Sequence, residues 1–172
     1  MPSGRVTARV ATDAAGTVTG VDFVNVPSRL VAEGLPVPTS RGELSVDVAY
    51  GGAIYAMLDV AQVGLSIVPA DVSELIALGR EVKWALNASE HAAHPTDHRL
   101  SGVYGTILHE DLGGDDGQVR QRNVTVFADG EVDRSPCGSG TCARLAVLAD
   151  QGRVTLGGPT LVTGSHTATA RP

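Results

Sequence analysis

Between Gly42 and Tyr50 polar and apolar side chains alternate without a break, with Leu44, Val46 and Val48 on one side and Ser45, Asp47 and Ala49 on the other. A period of two is the mark of a β-strand with one face turned to a core. Gly51-Gly52 follows at once, and Ala53 to Val60 is a second apolar run. Paired glycines between strands point to a bulge or to a place where another backbone comes close. A few residues on, the period changes. Pro69 to Asn87 carries Val72, Leu75, Ile76, Leu78, Val82 and Leu86 at helical spacing, with Ala85 beside them. Pro69 suits a first helical turn, and Asp71 and Glu74 suit the positive end of the helix dipole. Gly79 weakens this helix slightly. Its apolar stripe makes it a core helix packed on the sheet.

The rest of the chain is read in the same way. Arg5 to Val10 and Val18 to Val26 alternate around Asp13-Ala14-Ala15-Gly16, which reads as a β-hairpin. Pro27 ends its second strand, and Pro36 and Pro38 bracket a loop or an edge segment. Leu100 to His109 and Gln121 to Phe127 read as strands joined by an acidic turn, with Gly114-Asp115-Asp116-Gly117 as its hairpin loop. Asp129-Gly130 is a second tight turn. Ser139 to Asp150 reads as a short helix closed by Gly152. Arg153 to Thr163 reads as a last strand pair, and residues 164–172 as a frayed tail.

With 172 residues, the chain is long enough for one ordinary core without disulfides or metal. Aromatic residues make up only 3% of it, so that core must come from Val, Ala, Leu and Ile. The formal charge of −6 argues against a nucleic-acid partner, which needs a basic face. No apolar run approaches the roughly 20 residues of a membrane helix, and the N-terminus has no apolar signal core. These features fit a soluble cytoplasmic protein. The two cysteines, Cys137 and Cys142, are five apart in a helical stretch and point to different faces. They read as free thiols in a reducing compartment.

The strongest chemical signal is the run from Asp133 to Arg144, Asp-Arg-Ser-Pro-Cys-Gly-Ser-Gly-Thr-Cys-Ala-Arg. Pro136 and the glycines set a tight turn, and Thr141 to Leu148 has helical spacing. The amides of Gly138, Ser139 and Gly140 would then point out of a helix N-terminus, which is a ready anion site. A cysteine there has its thiolate stabilised. A thiol beside a carboxylate cradle is what removal of a proton α to a carboxylate requires. Composition alone leaves a second reading open, a glycine-rich helix start with an incidental buried cysteine.

In context the run resembles the second active-site motif of the proline racemase family, which includes hydroxyproline epimerases. Other stretches resemble the family in the same order: Asn25-Val26-Pro27-Ser28; Asp47 to Gly52 with Tyr55-Ala56 and Asp59; Gly79-Arg80 through Ala85-Leu86-Asn87; His94-Pro95; and Arg122-Asn123-Val124. The resemblance runs from Arg5 to about Gly158. It implies an α+β fold like that of diaminopimelate epimerase, in which a curved mixed β-sheet surrounds a central helix and a short helix is capped by a cysteine. It implies an isomerase of amino-acid metabolism that uses no cofactor and no metal. Two thiols, one from each of two similar domains, would face opposite sides of the α-carbon of proline or hydroxyproline. Matched residue by residue, Cys137 is the second acid/base thiol, and Gly138 and Ser139 form the carboxylate cradle. Asp133 meets the ring nitrogen, and Phe127 packs against the pyrrolidine ring. A threonine in place of Cys137 would have pointed to the dehydratase branch.

The family's first motif, a Cys or Ser followed by Gly-His-Gly, has no counterpart in the chain, and Gly164 to Pro172 does not resemble the family's closing segment. Residues 1–172 are therefore expected to form a single domain equivalent to the second half of a two-domain racemase, weak or inactive alone. The alternative is a non-catalytic truncated or split subunit that forms a homodimer or pairs with a separate first-domain chain. His91, His94 and His98 have metal-like spacing, but Pro95 breaks the helix that would gather them, so they read as a solvated loop. Asp111, Asp115 and Asp116 lack calcium-loop spacing. Cys142 reads as a small core residue, and Trp84 as core or as a lost interdomain contact.

Overall fold

The computed structural model describes residues 3–113 and 118–155, and the backbone of 161–165. The hairpin is formed as read: β1 (Thr7–Thr12) and β2 (Val18–Val24) pair antiparallel as a separate two-stranded sheet. Asp13 Oδ1 accepts from the amides of Ala15 and Thr17, which closes the turn.

The second sheet has seven strands: β3 (Arg29–Thr39), β4 (Gly42–Tyr50), β5 (Ile54–Asp59), β6 (Val103–Asp111), β7 (Val119–Phe127), β8 (Glu131–Val132) and β9 (Leu161–Ser165). β3 to β8 are neighbours in chain order. All of these pairs are antiparallel except β5–β6, and β9 joins β7 in parallel. Pro36 and Pro38 lie in β3, an edge strand, where a missing donor costs least.

The parallel step from β5 to β6 needs a crossover, which α1 (Val72–Asn87) supplies after a 3₁₀ turn at Pro69–Asp71. Leu75, Leu78, Val82 and Leu86 of α1 bury against Val46, Val48, Ala56, Leu58, Leu108, Val124 and Val126 on one face of the sheet. A second helix, α2 (Gly138–Asp150), lies against β3, β4 and β5 on the other face. There Ala143 and Val147 meet Ala49, Tyr55, Met57 and Ile107. The curved mixed sheet is thus covered on both sides, and successive residues of β5 feed opposite cores: Tyr55 and Met57 face α2, Ala56 and Leu58 face α1.

Two glycines permit this packing. A Cβ on Gly79 would lie 2.7 Å from Val126 Cβ, so the glycine that weakens α1 as a helix is what lets it approach β7. A Cβ on Gly51 would collide with the Ser139 carbonyl oxygen and lie 2.9 Å from the Ala143 nitrogen, so Gly51 sets how closely α2 sits on the β4–β5 turn.

Over Arg153–Thr163, where a strand pair is expected, residues 153–155 form no strand and 156–160 lie outside the described residues. Gly152, at φ 66°, and the bond from Arg153 N–H to the Leu148 carbonyl (2.8 Å) use this segment to end α2. Among the described residues of this stretch, β9 begins at Leu161 and pairs with β7. Gly164 and Ser165, expected in a frayed tail, belong to that strand; 166–172 and the Gly114–Gly117 loop lie outside the described residues. Among the described residues no helix is long and apolar enough to cross a membrane.

Candidate active site

The site is built where β8 leads into α2. Phe127 ends β7, and Ala128 turns the chain at φ 46°, a conformation uncommon for a residue with a side chain. Lys83 of α1, itself buried, holds that turn by donating from Nζ to the Ala128 carbonyl at 2.6 Å. After β8, short local bonds shape the next turn. Asp133 Oδ1 accepts from the Ser135 amide (2.8 Å), and Ser135 Oγ accepts from the Cys137 amide (3.1 Å). Cys137 is the N-cap of α2 at φ 59°, the second non-glycine residue with positive φ among those described. Such strain persists only where the surroundings enforce it, and it clusters at functional sites. The first helical bond of α2 runs from Thr141 N–H to the Cys137 carbonyl (2.7 Å). The amides of Gly138, Ser139 and Gly140 therefore lie outside the helical ladder, at the positive end of the helix dipole.

Cys137 is 6% exposed. A Cβ on Gly140 would come within 2.9 Å of Sγ and 2.8 Å of Ile107 Cδ1, so the sulfur occupies space that only glycine leaves. The Tyr55 hydroxyl bonds Ser139 Oγ at 2.6 Å and accepts from Cys137 Sγ at 3.7 Å. Burial, and then the neighbouring Cys137, push the Tyr55 phenol well above its ordinary range, so it stays protonated. The aromatic contacts continue outward. Tyr55 meets Tyr104 edge-on (5.6 Å), and Tyr104 stacks flat on Phe127 (5.8 Å, 6°). A strip of three rings thus joins Phe127 to Cys137, with Tyr104 half exposed. From β2, the Phe23 ring lies 3.5 Å from where a Gly138 side chain would begin.

Behind the first turn of α2 is a buried polar cluster. Arg144, 5% exposed, donates from Nε to Gln121 Oε1 (3.0 Å), and its Nη1 lies 3.8 Å from Asp47 Oδ2. Burial lowers its pKa to about 10, with Asp47 acting in the opposite sense, so it is a cation at neutral pH. His109, 7% exposed, has its pKa lowered to about 3 by burial and then by Arg144. Among the described residues its Nδ1 and Gln121 Nε2 have no hydrogen-bond partner. They border a cavity of about 10 Å³, room for about one water molecule, lined also by Asn123, Gly140 and Thr141.

Of the residues singled out from sequence, Cys137, Gly138 and Ser139 share one turn, and Asp133 is tied to it through Ser135. Phe127 reaches it through Tyr104 and Tyr55. Sequence reasoning misses Arg144 and His109 and places Tyr55 only in the double-glycine stretch; the period-two spacing of Tyr55 and Met57 in an apolar run is the signal for a second buried face, which the structure fills with α2. Cys137 and Cys142 are both free thiols. Cys142 is half-buried, its thiol pushed up by burial, and Trp84 is exposed. His91 and His98 lie in separate 3₁₀ turns, and His94 packs against Tyr50 (5.2 Å). Among the described residues no group of three or more His, Cys, Asp or Glu side chains is placed to hold a metal ion.

Known proteins resemble this chain in sequence and in fold. The family described as "Proline racemase" matches residues 1–168. A trans-3-hydroxy-L-proline dehydratase from Bacillus cereus is 41% identical over 147 residues, covering 86% of this chain and 43% of the relative. A 3-hydroxyproline 2-epimerase from Burkholderia multivorans is 43% identical over 150 residues, 87% of this chain and 44% of the relative. The crystal structure of a hydroxyproline epimerase from Agrobacterium vitis, with bound trans-4-hydroxy-L-proline, superposes with a TM-score of 0.84 at 33% identity, covering 97% of this chain and 47% of that one. The chain thus spans less than half the length of these three proteins. On its sequence and its fold, the chain belongs to the proline racemase family.

Proposed function

We propose that this chain carries one half of an α-proton-transfer site for a proline-type cyclic amino acid, the half that supplies one acid/base thiol. The observation that carries the reading is Cys137 held at φ 59° as the N-cap of α2, its sulfur packed against Gly140 in the first turn and bonded to the Tyr55 hydroxyl. In this reading the substrate carboxylate accepts from the amides of Gly138 and Ser139. The cationic ring nitrogen faces Asp133, and the ring packs on Phe127. The Cys137 thiolate takes the α-proton: the Cα–H bond breaks, an S–H bond forms, and the electron pair moves toward the carboxylate, where amide donors hold the growing charge. Inversion needs a second proton carrier on the opposite face. Pairing with a separate first-domain chain, or with a second copy, would supply it, and the isolated chain is expected to exchange the α-proton with little net inversion.

A second reading is dehydration of a 3-hydroxyproline, favoured by the dehydratase relatives from Bacillus, Colwellia, Burkholderia and Azospirillum at 40–44% identity. It also begins with α-proton removal but ends with loss of the 3-hydroxyl. The cysteine at 137 favours epimerisation.

The test is incubation of L-proline, trans-4-hydroxy-L-proline and trans-3-hydroxy-L-proline in D₂O with the chain and with Cys137→Ser. Deuterium at Cα that depends on Cys137 supports the reading, and a dehydrated product from the 3-hydroxy substrate supports the second one. Equal exchange by the variant removes Cys137 from the chemistry.

A further inference from the structure

The Tyr55 hydroxyl touches two groups that the proposed chemistry uses in different ways, Cys137 Sγ at 3.7 Å and Ser139 Oγ at 2.6 Å. Tyr55 is 1% exposed, so its hydroxyl must find partners within the protein. A count of protons allows two arrangements. Tyr55 and Ser139 each carry one hydroxyl proton, a thiol carries one and a thiolate none. With Cys137 as thiol, S–H donates to Tyr55 Oη and Tyr55 O–H donates to Ser139 Oγ. The proton of Ser139, a half-buried side chain, is then left to point outward. With Cys137 as thiolate, the sulfur needs a donor. Tyr55 O–H turns to it, and Ser139 O–H turns inward to Tyr55 Oη.

We propose that Tyr55 is a positioning residue that couples the proton on Cys137 to the carboxylate cradle, so that the Ser139 hydroxyl becomes a donor to the substrate carboxylate when the thiolate takes the α-proton. This rests on Cys137 being the α-proton base. Only one proton changes owner, from Cα to Sγ, while the hydroxyls of Tyr55 and Ser139 keep theirs and reorient. The new donor arrives as the electron pair of the broken C–H bond moves toward the carboxylate. A hydrogen bond that forms only as charge develops lowers the barrier, whereas one equally strong beforehand does not. The fixed neighbours support the geometry. Gly51 lets α2 seat Ser139 close to β5, and Tyr104 braces the Tyr55 ring from β6. Tyr55 and Cys142 interact electrostatically with Cys137 and Tyr104 with Tyr55, and His109 and Arg144 line the small cavity that Gly140, packed against the sulfur, also borders.

The test reads the thiolate directly, without substrate. In a Cys142→Ala background, the ultraviolet absorbance of the thiolate is followed against pH for the parent, Tyr55→Phe and Ser139→Ala. Tyr55→Phe keeps the ring and removes the only donor to the thiolate in this scheme, so the thiolate fraction at a fixed pH below the midpoint falls about tenfold. Ser139→Ala removes one bond from each arrangement, and the fraction stays within about threefold of the parent. An unchanged or higher thiolate fraction in Tyr55→Phe overturns the relay. If Tyr55→Phe does not fold, the infrared S–H stretch of the parent decides: a band lowered by hydrogen bonding supports the relay, and one at the position of a free thiol overturns it. Cys137-dependent deuterium exchange together with a Tyr55-independent thiolate would remove the relay and leave the base in place.

Discussion

The clearest consequence of the buried cluster behind α2 is a loss of stability in mild acid. His109 has its pKa lowered to about 3 in the folded protein, while in the unfolded chain it titrates at the ordinary value of 6.5. The unfolded state therefore binds the extra proton first. Stability is complete above about pH 6.5 and falls as the pH drops toward the folded value, because a depressed histidine must stay neutral in the fold. At pH 5 the gap is about 1.5 pH units below the unfolded pKa, which corresponds to about 2 kcal/mol lost relative to pH 7.5. The physical cost is that of a second cation beside Arg144 in a site 7% open to water. Asp97 and Asp111 have lowered pKa values, so their contributions fail only in stronger acid. Urea unfolding at pH 7.5 and at pH 5.0, for the parent and for His109→Gln, isolates the histidine. The parent should lose about 2 kcal/mol between the two pH values and the variant most of that difference less. Equal losses in the two proteins would refute the assignment of this pH dependence to His109.

Two further substitutions test how the site is held in place. Gly51→Ala puts a methyl group against the backbone of α2 and should cost about 1–3 kcal/mol in urea unfolding; an unchanged midpoint would mean that α2 does not sit that close. Lys83→Met leaves the Ala128 carbonyl without its donor at a positive-φ residue and should cost about 1–3 kcal/mol. Equal melting temperatures for parent and variant would count against Lys83 as the support of the turn after Phe127.

Local patterns made much of this fold legible. The alternation at Gly42–Tyr50 gave β4 at its observed bounds, the turn at Asp13–Gly16 gave the hairpin, and the stripe from Val72 to Leu86 gave α1. Pro136 and the following glycines gave the start of α2 within a residue. What stayed hidden depends on contacts between distant segments. Asp47 reads as the polar face of a strand, yet α2 covers that face and Arg144 reaches it. Gly79 reads as a weak point in a helix because the Val126 side chain that needs the space is far along the chain. Arg153 and Val154 read as strand because β-propensity says nothing of the helix that the Arg153 amide ends. At the site, the residues of the turn were visible as a run, whereas Tyr55, 82 residues before Cys137, is joined to it only by the packing of α2 on β5.

The central claim is that the turn holding Cys137 binds a carboxylate next to the sulfur. Its most direct test is the backbone amide spectrum of the chain titrated with L-proline and, separately, with L-prolinamide, which has the same ring and nitrogen but no carboxylate. Proline should move the amide resonances of Gly138, Ser139 and Gly140, and prolinamide should leave them in place. Equal shifts with both ligands, or shifts confined to other segments, would contradict it.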